Sequence, residues 1–243
     1  MESRPHGAQT ALNTVIAPRD AFVTLRSFPT WAWAYLIVVV LALIGQFLAI
    51  PAAQHIFEVT MPVSLEHNKQ ILAMPEAQRS KVIAQQLAFG KIIAYLALVV
   101  VPIIALLIAL IQAAVLTAVN AMVRGTGRFK NFWALCINVE IVGYGISYIV
   151  LGGIAAARGA GSFNNQQDFY AVIPSLGWII PSTAKQASVF LQTINVFMMW
   201  AGVLLALGAG IIGGFSRGVQ IALGVVFVLA SAGISAAFAG LSP

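Results

Sequence analysis

Long apolar stretches, separated by short polar segments, run through most of the chain. An apolar run of about 20 residues is long enough to cross a bilayer as an α-helix. The pattern predicts five such spans, at residues 31–53, 92–123, 132–157, 187–215 and 218–241. The sequence therefore predicts an all-α polytopic membrane protein, a bundle of five transmembrane helices.

The N-terminal part precedes the first of these spans. Residues 1–17 lack an apolar pattern, and we expect them to be disordered. Residues 18–28 place bulky apolar side chains on one side and charges on the others, which favours a short helix lying on the membrane surface. The chain is thus predicted to comprise a cytoplasmic N-terminus with an interfacial helix, 1–30, and a membrane domain, 31–243.

Two polar segments interrupt the membrane domain. Residues 54–90 form the longest one, in which Pro75 and Glu76 favour a helix start, and that helix is predicted to continue into the second span. The second polar segment contains the apolar stretch 170–181, which is too short to cross the bilayer. We expect that stretch to re-enter the membrane or to lie on its surface.

Composition agrees with a membrane location and excludes several classes of protein. Hydrophobic residues make up 60% of the chain and charged residues only 8%, far from the balance of a soluble domain. The net charge of +6 comes from cations placed singly between apolar spans, so it concerns topology and not nucleic-acid binding. The bilayer is the first predicted partner.

Motifs of catalysis, metal binding and cofactor binding are absent. The chain has one cysteine and three histidines, and His55, Glu58, Glu66 and His67 match no metal-ligand spacing. No nucleophile elbow, zinc-protease motif or nucleotide-binding loop occurs. We therefore expect no metal, no cofactor and no enzymatic activity.

A compact basic turn orients the predicted bundle. Arg124, Arg128 and Lys130 lie between the second and third spans with no acidic residue among them. Short loops rich in Lys and Arg stay on the cytoplasmic side of a membrane. We expect a plasma (inner) membrane protein with a cytoplasmic N-terminus and an external C-terminus.

The third span carries polar groups on two sides. Glu140 lies on one side, and Asn138 lies on the other with Gly145 and Gly152. Such a helix is unsuited to lipid on either flank, so we predict that it is the centre of the bundle. The depths of Glu140 and of Gln112 on the second span, about 15 Å and about 18 Å, place them within reach of each other.

Glu140 is predicted to be protonated and hydrogen-bonded, with Gln112 as its partner. A proton or cation carrier would need a second charged group inside another span, and the chain has none. A structural role for Glu140 is therefore favoured over a transport role.

Small residues recur in the last two spans. Gly210 and Gly214 form one pair at a spacing of four, and Gly233 with Ala237 forms another. This spacing lets two helices approach closely, within one chain or between chains. Packing within the chain is the favoured interpretation, and a homo-oligomer contact is the alternative.

Two short motifs resemble bacterial members of the Yip1 family. The first comprises Pro18, Phe22, Leu25, Pro29, Thr30 and Trp31, and the second comprises Arg128, Phe129, Lys130 and Ala134. The chain departs from the family at Val142, where those proteins commonly carry a proline. The resemblance implies five spans with a hydrophilic segment after the first, and an interaction role.

These observations together favour a non-catalytic membrane scaffold or an accessory subunit of a membrane complex. Its partner would be another membrane protein or a second copy of the chain. The alternative is a transporter or permease component that uses the polar interior of the third span.

Overall fold

A computed structural model describes residues 6–66, 69–180 and 184–241, and these are helical with no β-strand among them. Five helices are long and apolar enough to cross a membrane: Ala32–Pro62, Tyr95–Met122, Phe129–Arg158, Val196–Gly213 and Arg217–Ala239. The predicted all-α polytopic bundle is thereby confirmed.

The first half of the chain contains five helices. They are α1 (Gly7–Ile16), α2 (Pro18–Ser27), α3 (Ala32–Glu66), α4 (Lys69–Leu72) and α5 (Glu76–Met122). Helices α3 and α5 have 35 and 47 residues. At 1.5 Å per residue they measure about 52 Å and about 70 Å, so both project well beyond a hydrocarbon layer of about 30 Å.

The predicted start of the long second helix is confirmed, because Pro75 is the residue that precedes the first turn of α5. Pro102 lies inside α5 without ending it. Near this proline, polar side chains of α3 bond to the backbone of α5: the Tyr35 hydroxyl donates to the Pro102 carbonyl at 3.2 Å, and Gln46 donates to the Ala97 carbonyl at 3.4 Å.

The second half begins with the third span, which is built from three pieces. These are α6 (Phe129–Glu140), a π-helical segment (Ile141–Ile146) and α7 (Ser147–Arg158). There follow a 3₁₀ turn (Ala160–Ser162), α8 (Gln166–Tyr170), α9 (Leu176–Ile179), α10 (Lys185–Thr193), α11 (Val196–Gly213) and α12 (Arg217–Leu241).

The predicted fourth span, 187–215, is wrong as a single helix, because it breaks between α10 and α11. The Asn195 side chain caps α11 by accepting hydrogen bonds from the amides of Phe197 and Met198, both at 3.0 Å. Loop residues Pro174 and Leu176 bond to the backbone that the break exposes, at 3.1 Å each. The loop therefore supplies hydrogen-bond partners for the backbone groups that the break leaves unpaired.

The stretch 170–181 contains the last residue of α8 and the short helix α9. Trp178 and Ile179 on α9 are largely exposed, which suits a segment on the membrane surface. Its last residue, Pro181, lies outside the described residues.

The third span is the most deeply buried of the five, as predicted for the bundle's centre. It packs against α3, α5 and α11, whereas α12 packs mainly against α10 and α11 at the periphery. At Gly45 of α3 and Gly152 of α7 the two backbones are in direct contact, since a Cβ on Gly152 would overlap the Gly45 carbonyl oxygen.

The N-terminal part differs from its prediction. Residues 7–16 form helix α1 and not a disordered segment, with Thr10, Ala11 and Thr14 buried. The predicted apolar side of residues 18–28 is confirmed at Phe22 and Leu25, which are fully buried. That side packs against α6 and α11, and so the described part of residues 1–30 shares one hydrophobic core with the membrane domain.

Candidate functional site

Glu140 and Gln112 meet in the interior of the bundle, as their matched depths predict. The Gln112 amide donates to one carboxyl oxygen of Glu140 at 3.0 Å. Glu140 is only 3% exposed, which confirms that it does not face lipid. Its protonation stays a prediction, although a neutral acid would suit Gln112 Oε1, a buried oxygen with no hydrogen-bond partner in the structure.

The π-helical segment begins directly after Glu140 and explains part of this geometry. Its residue Gly143 leaves room for the carboxyl group, since a Cβ there would lie 3.0 Å from Glu140 Oε2. The same position faces Ala201 of α11, so the carboxyl group sits between α5 and α11. A π-helical turn adds a residue to the turn, and the 3.6-residue periodicity used for the prediction therefore does not extend beyond Glu140.

Asn138 lies on the other flank of the third span, and it holds the N-terminal part of the chain. Its amide nitrogen donates to the carbonyls of Thr30 at 3.0 Å and of Ala134 at 2.7 Å. The Thr14 hydroxyl of α1 lies 3.4 Å from its oxygen. The polar residues on the two sides of the span therefore have different neighbours: Glu140 contacts α5, and Asn138 contacts the N-terminal part of the chain.

Asn131 makes a second attachment, which the sequence analysis missed. Its buried amide nitrogen donates to the carbonyls of Leu25 and Arg26, both at 2.9 Å. These carbonyls belong to the last turn of α2, whose C-terminal groups need such partners. Asn131 and Asn138 are seven residues apart, two helical turns, and this spacing on one face was the signal available in the sequence.

Helices α1 and α2 form an N-terminal hairpin held by these two asparagines. Arg26, at one end of the hairpin, lies beside the predicted basic turn. Near its tip, Val15 lines an apolar cavity of about 240 Å³ with Val142 of the π-helical segment and Trp200 of α11. The hairpin therefore packs one side against the bundle, while Leu12, Ile16 and Val23 on its other side are exposed.

The predicted basic turn is a rigid connection between α5 and α6. Asn120 anchors it by donating to the carbonyls of Gly125 at 3.4 Å and of Gly127 at 3.1 Å, and by accepting from the Gly127 amide at 3.1 Å. The Thr126 amide donates to the Gly213 carbonyl at the end of α11, at 2.9 Å. Arg124 adopts a left-handed backbone, with φ of 54°.

Three cations meet where this turn joins the hairpin. Arg26, Arg128 and Lys130 line a cleft of about 230 Å³, with the hydroxyl side chains of Ser27 and Thr126 beside them. Arg124 does not line the cleft. The structure thus brings together two of the three cations predicted for the turn and adds one from α2.

The predicted packing residues have unequal roles. Gly210 provides room for the Gln220 side chain of α12, so it serves packing within the chain. Gly214 ends α11 in a left-handed conformation with φ of 70°, and the predicted helix-packing role is wrong for it. Gly233 and Ala237 are exposed, and no atom lies within 4 Å of a Cβ built on Gly233.

Other glycines, which the spacing rule did not select, also make close contacts. Gly202 of α11 and Gly224 of α12 lie at the crossing of their helices, where a Cβ on Gly224 would lie 3.0 Å from the Gly202 carbonyl oxygen. Gly208 provides room for the side chain of Leu135. Small residues therefore do bring the last two helices together, at Gly210 as predicted and at Gly202 and Gly224, which were not predicted.

Among the described residues, no three His, Cys, Asp or Glu side chains are grouped so that they could hold a metal ion. His67, one of the residues considered for a metal in the sequence, lies outside the described part of the chain. Cys136 is a buried free thiol on α6.

Comparison with protein-family models, with curated proteins and with solved structures finds no match. The resemblance to the Yip1 family therefore stays a prediction that depends on the two motifs alone.

Proposed function

We propose that the protein is a non-catalytic membrane scaffold or accessory subunit of the Yip1 type. Its working surface would be the basic end, which we define as the N-terminal hairpin's Arg26 end and the turn from Arg124 to Lys130. This end offers cations and exposed polar groups to a partner, while the rest of the bundle contacts lipid.

The observation that carries this proposal is the number of hydrogen bonds that make the basic end rigid. Asn120 anchors the turn from α5, and Thr126 connects it to α11. Asn131 attaches the end of α2 to α6 beside it. A prearranged surface loses little conformational entropy when a partner binds, which is what a scaffold requires.

The interior supports a structural role more than a path for solutes. Asn138 is occupied by contacts to the hairpin and to its own helix. Glu140 is occupied by Gln112 on the neighbouring helix. Side chains committed to such internal hydrogen bonds are not free to bind a passing solute.

Transport remains the second candidate, and two observations favour it. The π-helical segment interrupts the central helix next to Glu140, and such segments are frequent at functional sites. The unpaired oxygen of Gln112 lies in the same region.

Two measurements separate these functions. If the protein is a scaffold, it should form a stable complex with a partner protein that survives purification in mild detergent. The double variant Arg128→Gln, Lys130→Gln should lose that partner, whereas Arg217→Gln should retain more of the partner than the double variant does. Reconstituted protein would then show no solute or proton flux. Flux that disappears in Glu140→Gln would support transport and contradict the scaffold proposal.

We also propose that the basic end is cytoplasmic, which places the N-terminus inside and the C-terminus outside. The support is the excess of Lys and Arg in the short connections at this end. The test uses Cys136→Ala protein with one exposed cysteine introduced, by Ser216→Cys between α11 and α12 on the same side as the basic end, or by Ser162→Cys on the opposite side. In intact cells, a membrane-impermeant maleimide should label only the Ser162→Cys protein, and the reverse result would contradict the orientation.

A further inference from the structure

The cleft at the basic end has the properties of an anion site. It is formed by the end of α2, the turn before α6 and the first turn of α6, and its volume is about 230 Å³. A single water needs only about 15 Å³, so the cleft has room for a larger group with its hydration. We propose that this cleft binds a phosphate group.

The charge of the lining residues points to this class of ligand. The lining residues include Arg26, Arg128 and Lys130, and none of them is acidic. Within the described part of the chain, no ion pair neutralises any of these three cations. Three positive charges around one cavity repel each other, and a bound anion would remove that repulsion.

The chemistry of the other lining groups suits phosphate oxygens. Ser27 contributes a hydroxyl group, which can donate a hydrogen bond to an oxyanion, whereas the Thr126 hydroxyl already donates to the Ile212 carbonyl at 3.4 Å. Arg guanidinium groups bind phosphate with two parallel hydrogen bonds, and Lys binds it as a point charge. A phosphate monoester or diester can use the donors of Ser27 and of the Arg and Lys side chains.

The first turn of α6 adds to the positive potential. Arg128 precedes this helix without a side-chain cap, and its first turn contains no acidic residue. Helix starts normally favour Asp, Glu, Ser or Thr, because the unpaired amides there carry partial positive charge. Cations at this place are electrostatically unfavourable until an anion joins them, so the helix start supports the assignment made from the cavity and its charges.

The cleft is also held in shape before a ligand arrives. Asn131 attaches the α2 side to α6, and Asn120 with Thr126 fixes the turn on the other side. The side chains of the three cations remain exposed and can close on a ligand. The fixed backbone lowers the entropic cost of binding an anion, because only the side chains have to be ordered.

The phosphate could belong to an anionic lipid headgroup or be free in solution. Both sources present the same oxygens to the cleft. This inference goes beyond the proposed scaffold role, and its test uses no protein partner, so its failure leaves that role in place.

The experiment uses the full-length protein in two settings. In neutral detergent, the melting temperature is followed by tryptophan fluorescence while inorganic phosphate is exchanged for chloride at constant ionic strength. In nanodiscs, phosphatidylcholine alone is compared with phosphatidylcholine containing phosphatidylglycerol. The variant is Lys130→Gln, and the matched control is Arg217→Gln, an exposed cation at the start of α12 that does not line the cleft.

We expect phosphate or phosphatidylglycerol to stabilise the native protein, and Lys130→Gln to weaken the binding about tenfold, the effect of one lost charged hydrogen bond. Arg217→Gln should bind as the native chain does. Stabilisation by inorganic phosphate in detergent identifies a free phosphate site, and stabilisation by phosphatidylglycerol alone identifies a lipid headgroup. No stabilisation in either setting, or equal weakening in both variants, would overturn the proposal.

Discussion

Replacing Asn131 by alanine should release the N-terminal hairpin locally. Asn131 is 5% exposed, and its amide nitrogen makes two hydrogen bonds of 2.9 Å to the carbonyls of Leu25 and Arg26. Each such bond contributes about 1 kcal/mol, so Asn131→Ala should lower the free energy that holds α2 by about 2 kcal/mol. This corresponds to an increase of about 30-fold in the open population of the hairpin.

Amide hydrogen exchange measures that opening directly. In Asn131→Ala, exchange of residues 18–27 should accelerate by about this factor, while α11 and α12 keep their native rates. Asn13→Ala is the matched control, because Asn13 lies on α1 of the same hairpin and its side chain makes no hydrogen bond to the described residues. Native exchange rates in residues 18–27 of Asn131→Ala would refute the reasoning, and so would equal acceleration in the control.

Two further predictions concern the interior of the bundle. If the buried carboxyl group is neutral, Glu140→Gln should leave the melting temperature close to native. Glu140→Leu should destabilise the protein by about 1–3 kcal/mol, because it leaves the Gln112 amide unpaired. A Glu140→Gln protein as unstable as Glu140→Leu would contradict the neutral state. Gly152→Ala should destabilise the protein by about 1–3 kcal/mol, because the added Cβ overlaps the Gly45 carbonyl oxygen. The control is the adjacent Gly153→Ala, whose Cβ meets no atom within 4 Å. In the same thermal unfolding assay it should be neutral or mildly stabilising. Equal melting temperatures for the two glycine variants would show that the helices do not cross where described.

The spans and the central helix could be predicted from the sequence because hydrophobic length and polar flanks are local properties. The contact between Glu140 and Gln112 could also be predicted, since both depths follow from the basic turn and the rise of a helix. The π-helical segment could not, because the extra residue per turn depends on how Gly143 and Gly145 pack against other helices.

The docked position of the N-terminal hairpin could not be predicted from its own sequence. An amphipathic helix with Phe22 and Leu25 on one side fits a membrane surface and a protein core equally well. What decides between them is Asn131, more than 100 residues away in sequence. The cleft was missed for the same reason, because Arg26 reaches Arg128 and Lys130 only after the hairpin has docked.

The hairpin's attachments also determine the order in which the protein can be assembled. Its hydrogen bonds to Asn131 and Asn138 join residues separated by 105 to 124 positions. At a synthesis rate of about 5–20 residues per second, α1 and α2 leave the ribosome roughly 5 to 25 seconds before the helix that holds them. During that interval Phe22 and Leu25 have no protein core to enter, and the nearest apolar phase is the bilayer surface. Residues 18–28 should therefore lie on the membrane surface during synthesis, as their amphipathic pattern predicts. In the finished protein they are docked against α6 and α11.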